Sequence, residues 1–475
     1  MLFNSLDYIL FLGIAIAGFW ALARNAQLRI VFVFVASCLF YMAWHPAYIV
    51  LILGSTVIDY VVGLRIHATE GEKARKRWLM VSLVCNLGLL GIFKYFNFTS
   101  QATADVLKLF FDIEIPNPPF LDVLLPVGIS FYTFQTLSYT IDIYRRKLEP
   151  TRNFFQFAFF VTYFPQLVAG PIVRASQLLP QLQRKITLRD EQVTQGLFLI
   201  ATGMVKKVAI ADYLSVNLVD RVFDQPALYS TAEVVIALYG FTMQIYCDFS
   251  GYTDVARGSA KLMGLELPEN FDRPYQSASP AEFWRRWHIT LSTWLRDYLY
   301  YPLGGSHVGP ARAYWNLWLT MFLIGIWHGA SWTFVFYAIL QSMAMVIHRF
   351  FYRRSGRTRD TVDVWQLRAF KVFWALQFVV FSRILFRATS LQNAMEVTTR
   401  LGSGTFSVAQ ISLGVWAMLI LTFAAHYTPK RWFESIELQF KSMPAPAQGV
   451  TLAAVGFALS IVATSQVVPY IYFQF

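Results

Sequence analysis

Charge is scarce in this sequence. Asp, Glu, Lys and Arg make up 14% of its 475 residues, against about 25% in soluble domains, which argues against a water-soluble fold. Long polar stretches are missing too, so the chain reads as one integral membrane domain over residues 1–475. Cysteine is nearly absent. Cys38, Cys85 and Cys247 are scattered through apolar runs with no CxxC spacing, which favours neither a disulfide framework nor a metal site; they read as buried packing residues. There is no GxSxG elbow, Walker A loop, HExxH or Rossmann fingerprint followed by an acidic residue. The seven histidines lack metal-ligand spacing. No metal and no tightly bound cofactor are therefore expected. The N-terminus carries neither a basic n-region nor a small-residue cleavage site, so its first apolar run reads as a retained span rather than a signal peptide.

Hydrophobicity is what the chain has in quantity: 56% of residues are hydrophobic and 17% aromatic. Apolar segments near the length of a bilayer-crossing helix recur from end to end. The expected fold class is all-α and polytopic, with about 11–13 membrane-inserted helical segments, some short or re-entrant. The net charge of +12 is gathered in short links between apolar segments, as in cytoplasmic loops. It points to membrane lipid as the surroundings and not to nucleic acid as a partner.

Spans are expected at about Leu6–Ala23, Leu28–Trp44, Pro46–Leu64, Trp78–Phe98 and Leu124–Ile143. The basic links 24–29, 65–78 and 145–152 then lie in the cytoplasm and the acidic link 99–122 outside. Phe154–Gly170 is apolar, yet basic links flank it on both sides. Pro165, Gly170 and Pro171 predict a broken or re-entrant segment there, because proline and glycine end helices. Such backbone survives at membrane depth only when buried in protein or lining a cavity, so a cytoplasm-facing funnel is expected. Further apolar segments lie near 194–214, 231–248, 313–330, 332–350, 366–386, 411–427 and 447–465, and the Arg353–Arg359 cluster is placed in the cytoplasm. Lys206 and Lys207, inside an apolar run, read as snorkelling to the interface.

The chemistry concentrates between Ser279 and Trp332. Ser279-Pro280-Ala281-Glu282 predicts a helix start with a capping box. An amphipathic interfacial helix follows, with Phe283, Trp287, Leu291, Trp294 and Tyr298 at helical spacing, closed by Pro302 and Gly304-Gly305. It carries His288. His328 ends the apolar run LWLTMFLIGIWH between Gly325 and Gly329, where small residues let a helix or substrate approach. Ionisable groups inside a membrane default to a functional reading, and a neutral imidazole accepts a proton near pH 7. The plain alternative is a structural histidine bonded to a neighbouring carbonyl. His45, His67, His307, His348 and His426 sit at span ends or in links and are assigned ordinary interfacial roles.

The segments EFWRRWHITLSTWLRDYLYYPLGG, GIWHGASW, YCDFSGYTDVARG and LPENFDRPY, with LLPVGISFYTFQTLSYTIDIYR and FPQLVAGPIVR upstream, resemble the membrane-bound O-acyltransferase (MBOAT) family. The likeness is to its bacterial branch: the membrane subunit of alginate O-acetylation and the membrane protein of teichoic-acid D-alanyl transfer. It covers residues 1–400 or so and weakens beyond. The resemblance implies a ring of membrane helices around a central tunnel, in the bacterial inner membrane. It implies His328 as the catalytic residue and His288 as the second active-site residue. It implies an acyl group, acetyl in the alginate branch, taken from a cytoplasmic thioester (acetyl-CoA or a carrier-protein thioester). The group would cross the membrane to a periplasmic SGNH-type acetyltransferase or another exopolysaccharide-modification protein.

The residues fit that chemistry independently. A thioester carbonyl is already activated, and a base that strips the acceptor hydroxyl, here His328, adds roughly 10²–10⁴-fold. His288 would orient the acceptor or steady charge on the oxygen. Three other readings stay open at this point. The acceptor can be a teichoic acid, cellulose, peptidoglycan or a lipid. The chain can be a transporter without covalent chemistry. It can be a scaffold, which leaves the two motif histidines unexplained.

Overall fold

The structure is a computed structural model that describes residues 1–356, 363–463 and 468–471. Within them it is helical, with no strand. Five helical stretches, Pro46–Ala68, Glu72–Phe111, Trp332–Arg354, Trp365–Arg387 and Ala445–Val462, are long and apolar enough to cross a membrane. Leu6–Ala21, Ala26–Met42 and Leu413–Tyr427 are shorter apolar helices. The chain is an all-α, multi-pass membrane protein. Its residues group into two compact units, 1–197 with 256–268 and 198–255 with 269–475.

In the first unit three helix starts are set by polar side chains. Ser5 accepts the Tyr8 N–H (3.2 Å) and Asn25 the Leu28 N–H (3.1 Å). Asn153 accepts from Phe155 and Gln156 to open Phe154–Thr162. Each takes up a backbone donor that the first turn leaves orphaned. The helix Phe154–Thr162 stops at Tyr163, and the short turn Phe164–Leu167 follows. The break expected within 154–170 is therefore present, and residues 157–173 are buried throughout, as irregular backbone in a membrane protein requires. The 99–122 link differs from expectation. Glu72–Leu90 runs through a π-turn at Gly91–Tyr95 into Phe96–Phe111, so its first half is helix.

Three helices of this unit share a buried polar network. Asp59 on Ile49–Ala68 accepts Ser82 Oγ (2.5 Å) and Asn86 Nδ2 (2.8 Å) from Glu72–Leu90. From Ile129–Tyr144, Thr136 Oγ1 donates to Asn86 Oδ1 (3.3 Å) and Thr140 Oγ1 lies 3.1 Å from Ser82 Oγ.

The second unit holds the chemistry-bearing stretch. The helices Pro310–His328 and Trp332–Arg354 form a hairpin. A Cβ on Gly325 would come within 2.4 Å of the Ala338 Cβ, and one on Gly329 within 2.1 Å of the Phe334 ring. The small residues beside His328 thus admit a neighbouring helix, as the sequence suggests. Arg357 and Arg359 of the basic cluster at 353–359 lie outside the described residues.

Replacing Asn86 with Ala takes one donor away from the buried Asp59 carboxylate. The expected loss of stability is about 1–3 kcal/mol, read as a lower thermal midpoint of the detergent-solubilised protein; an unchanged midpoint would show that the network carries no stability.

Candidate active site

The site is built from residues 270–295, and its first feature is a break. Ser279 Oγ accepts the Glu282 N–H (3.1 Å) with Pro280 at the first helical position, as the motif predicts. The returning arm of the box is shifted by one residue, since Glu282 accepts the Ala278 N–H (2.9 Å). The same carboxylate meets Arg286 (2.9 Å) and Arg368 (3.5 Å). Burial on its own would raise this carboxyl, but the Ala278 N–H and the two arginines outweigh it and hold it below the ordinary range.

The helix Pro280–Arg286 then ends. Trp287 is extended, and His288 takes left-handed angles of φ 44° and ψ 57° before a second helix, Ile289–Leu295. For a residue with a Cβ this conformation costs roughly 1–2 kcal/mol, so something must hold it. Asn270 does. Its backbone oxygen accepts the Ile289 N–H (3.0 Å), and its Oδ1 accepts both the Thr290 N–H (3.1 Å) and the Thr290 hydroxyl (2.7 Å). Nearby, the Asp272 N–H donates to the Arg286 oxygen (2.9 Å). The single interfacial helix expected to run as far as Pro302 is corrected accordingly. The side-chain pattern is helical on both sides, but bonds to residues 270–272 replace the helical ones at the break.

The break delivers His288 into a wall of rings. Its imidazole is fully buried, edge-on to Phe249 (4.8 Å between centroids) and 5.6 Å from the Trp327 ring. His328, the last residue of Pro310–His328, is also buried; its ring lies 5.1 Å from Trp327 and 5.2 Å from Phe386. The two histidines that the sequence singles out are thus brought to one aromatic cluster, with Trp327 between them. Both imidazoles are buried, and imidazole is the side chain whose ordinary range for proton exchange lies nearest pH 7. Among the described residues no three His, Cys, Asp or Glu side chains are grouped to hold a metal.

Two expectations need correction. His426 is not interfacial. It is buried; its Nε2 accepts the Tyr275 N–H (3.2 Å), and its backbone oxygen accepts Gln276 Nε2 (2.7 Å). The segment after Asn270 folds over the helix end and takes that end out of the interface. Lys207 does not snorkel either. It is 0% exposed and bonds Asp248 (2.6 Å) and Asp212 (2.7 Å), while Asp248 also accepts the Ile471 N–H (2.9 Å). Lys206 pairs with Asp254 (2.6 Å). Gly203 and Gly251 make this possible. A Cβ on either would sit 2.6–2.7 Å from the other's carbonyl oxygen, so the two backbones approach closely enough for the lysines to find carboxylates inside the protein. Asp248 also neighbours Phe249, so the ion cluster fixes the turn of helix Thr231–Leu262 that packs on His288.

With this geometry in place, the family profile for membrane-bound O-acyltransferases (MBOAT) matches residues 145–390. The chain is 36% identical to the probable alginate O-acetylase AlgI of Pseudomonas aeruginosa, over 96% of this chain and 86% of that protein. This chain belongs to the membrane-bound O-acyltransferase family. It is also 34% identical to the peptidoglycan O-acetyltransferase of Helicobacter pylori, over 84% of this chain and 79% of the relative. To the teichoic acid D-alanyltransferase of Bacillus subtilis it is 27% identical, over 54% of this chain and 69% of the relative. This MBOAT protein is therefore an O-acyltransferase, and its matched region contains His288, His328 and the break that places His288.

Asn270→Ala removes the side-chain acceptor that fixes Thr290 and leaves the left-handed turn held by the backbone bond to Ile289. Acyl transfer is expected to fall by about 10²-fold through misplacement of His288, with the protein still present in membranes. Initial rates at matched protein level check this, and a rate close to wild type would separate the turn from the chemistry.

Proposed function

We propose that this MBOAT protein takes an acetyl group from a cytoplasmic thioester and passes it across the bacterial inner membrane for O-acetylation of an exported polysaccharide, with His328 as general base. The observation that carries this reading is the placement of the two motif histidines, both buried and one tryptophan apart. In the reaction, His328 accepts the proton of a hydroxyl as its oxygen bonds to the thioester carbonyl carbon. The carbon–sulfur bond then breaks, and the thiolate leaves and is reprotonated. His288 orients the acceptor in this scheme. The polar atoms needed are few, and in a dry site each counts for more than in water.

Acetyl is favoured over D-alanyl because the Pseudomonas aeruginosa and Helicobacter pylori relatives, both above 30% identity, are named for O-acetylation, of alginate and of peptidoglycan, whereas the teichoic acid D-alanyltransferase of Bacillus subtilis is 27% identical. Acetyl-CoA or a carrier-protein thioester is the proposed donor, bound only in passing. A periplasmic SGNH-type acetyltransferase or another exopolysaccharide-modification protein is the proposed recipient. The +12 net charge, gathered in short links, suits a phosphorylated or acidic donor at the cytoplasmic face.

The test is transfer from radiolabelled acetyl-CoA in membranes that hold this protein with its genetic neighbours, for wild type and His328→Ala. Label on a periplasmic protein or glycan only with wild type is the expected result, a loss of at least about 10²-fold. Equal labelling in both would return His328 to a structural role.

A further inference from the structure

Arg383 lies one turn before the C-terminal end of the helix Trp365–Arg387 and is 1% exposed. Its guanidinium carbon is 4.8 Å from the centroid of the Trp287 ring and 5.2 Å from that of Phe386. Trp287 immediately precedes His288, and Phe386 is the ring that meets His328 at 5.2 Å. One charged group therefore packs on the residue that precedes His288 and on the ring that meets His328. It is held from behind. Its neighbour Ser382 donates to the Val379 oxygen (2.8 Å) and accepts Gln341 Nε2 (3.1 Å), and Gln341 in turn accepts the Trp284 indole N–H (3.3 Å). The Tyr275 hydroxyl, which donates to the Thr242 oxygen (2.6 Å), is close enough to interact with the guanidinium.

The charge has no carboxylate to answer it among the described residues, and Nε and Nη2 are buried without a hydrogen-bond partner. Arginine cannot escape by losing its proton, and a buried cation needs an opposing charge. The two ring faces offset part of that need. The remaining donors are informative because of which two they are. Nε–H and Nη2–H point the same way along one edge of the guanidinium, the fork that grips an anionic oxygen or a carboxylate with two bonds.

We propose that this fork receives the oxygen of the acyl carbonyl, making Arg383 a third catalytic residue beside His328 and His288. The inference rests on the acetyl-transfer reading above. As the acceptor oxygen bonds to the carbonyl carbon, the carbonyl π pair moves onto its oxygen, and the hydroxyl proton goes to His328. The new negative charge falls on the oxygen held by Nε–H and Nη2–H. The pair then returns to reform the carbonyl as the carbon–sulfur bond breaks, and the thiolate carries that bond's electrons away and takes the proton. A neutral thioester carbonyl gains little from a cation and an oxyanion gains much, so the contact accelerates the step rather than merely tightening binding.

Two measurements test this. The first compares kcat and KM for acetyl-CoA in the membrane assay for wild type, Arg383→Lys and Arg383→Met, with membrane abundance as control. Arg383→Met should lose about 10²–10³-fold in kcat. Arg383→Lys, which keeps the charge but not the fork, should lose more than about tenfold with KM little changed. Wild-type kcat in Arg383→Met overturns the proposal. So does a raised KM with unchanged kcat in Arg383→Lys, which would make the fork a ground-state anchor for an anionic part of the donor.

The second measurement is the melting temperature of the purified protein against sodium acetate, with sodium chloride keeping ionic strength constant. Acetate offers the fork an anionic oxygen pair on an acetyl skeleton. A saturable rise in wild type and His328→Ala, absent in Arg383→Met, is expected. No rise in wild type, or an equal rise in Arg383→Met, overturns the fork. If wild type transfers nothing from acetyl-CoA or from an acetylated carrier-protein thioester, the acetyl-transfer reading falls, and the acetate titration still decides whether Arg383 is an anion site.

Discussion

In the interior of a membrane protein no water is at hand to satisfy a stray donor or acceptor, so each buried polar group must be answered by another part of the chain. That constraint organises both units of this MBOAT protein. In the first it ties three helices together through Asp59, Ser82, Asn86 and Thr136. In the second it draws Lys207 to Asp212 and Asp248 and lays the Ile471 N–H on the same carboxylate. Buried ion pairs of this kind are weak stabilisers on balance but penalise any arrangement that separates them. Here they fix which turn of helix Thr231–Leu262 faces His288.

The same constraint produces the strained residue at the site. A continuous helix through 280–300 would satisfy its own backbone and place His288 on an ordinary helical face. Asn270 offers that backbone alternative partners, and the chain leaves helical geometry for two residues. Strain of this sort persists only where the surroundings over-determine it. Three bonds from one asparagine to Ile289 and Thr290 are such surroundings. The result is an imidazole carried on rigid backbone between Phe249 and Trp327 rather than on a mobile loop.

Much of this was legible in the sequence. The scarcity of charge and the recurring apolar runs gave the all-α membrane class. Pro165, Gly170 and Pro171 marked the broken segment, and the motif around Ser279 marked a helix start that the Ser279–Glu282 bond realises. His288 and His328 stood out as ionisable groups in apolar surroundings and do meet at one cluster. What was not legible depends on partners distant in the chain. The pattern around His288 is amphipathic and helical on both sides, so nothing local announces the break; the cause sits 20 residues upstream of Thr290. Lys207 finds Asp248 across 41 positions, and without that partner snorkelling is the sound reading of a lysine in an apolar run. Arg383 lies in an apolar run that the sequence marks only as a span, and what sets it apart is its pair of distant ring neighbours. Gly251 was visible inside YCDFSGYTD, but its use as a close-approach point needs Gly203 opposite.

On the proposed function, the acyl group reacts at one buried cluster bounded by His288, Trp327, His328 and Phe386. The most direct measurement is an experimental structure of the protein with a non-hydrolysable acetyl-CoA analogue whose sulfur is replaced. The acetyl carbonyl is predicted to lie against His328 and His288, with its oxygen toward Arg383. An acetyl group seated away from these side chains, with the cluster unchanged around it, would contradict the claim and make both motif histidines structural.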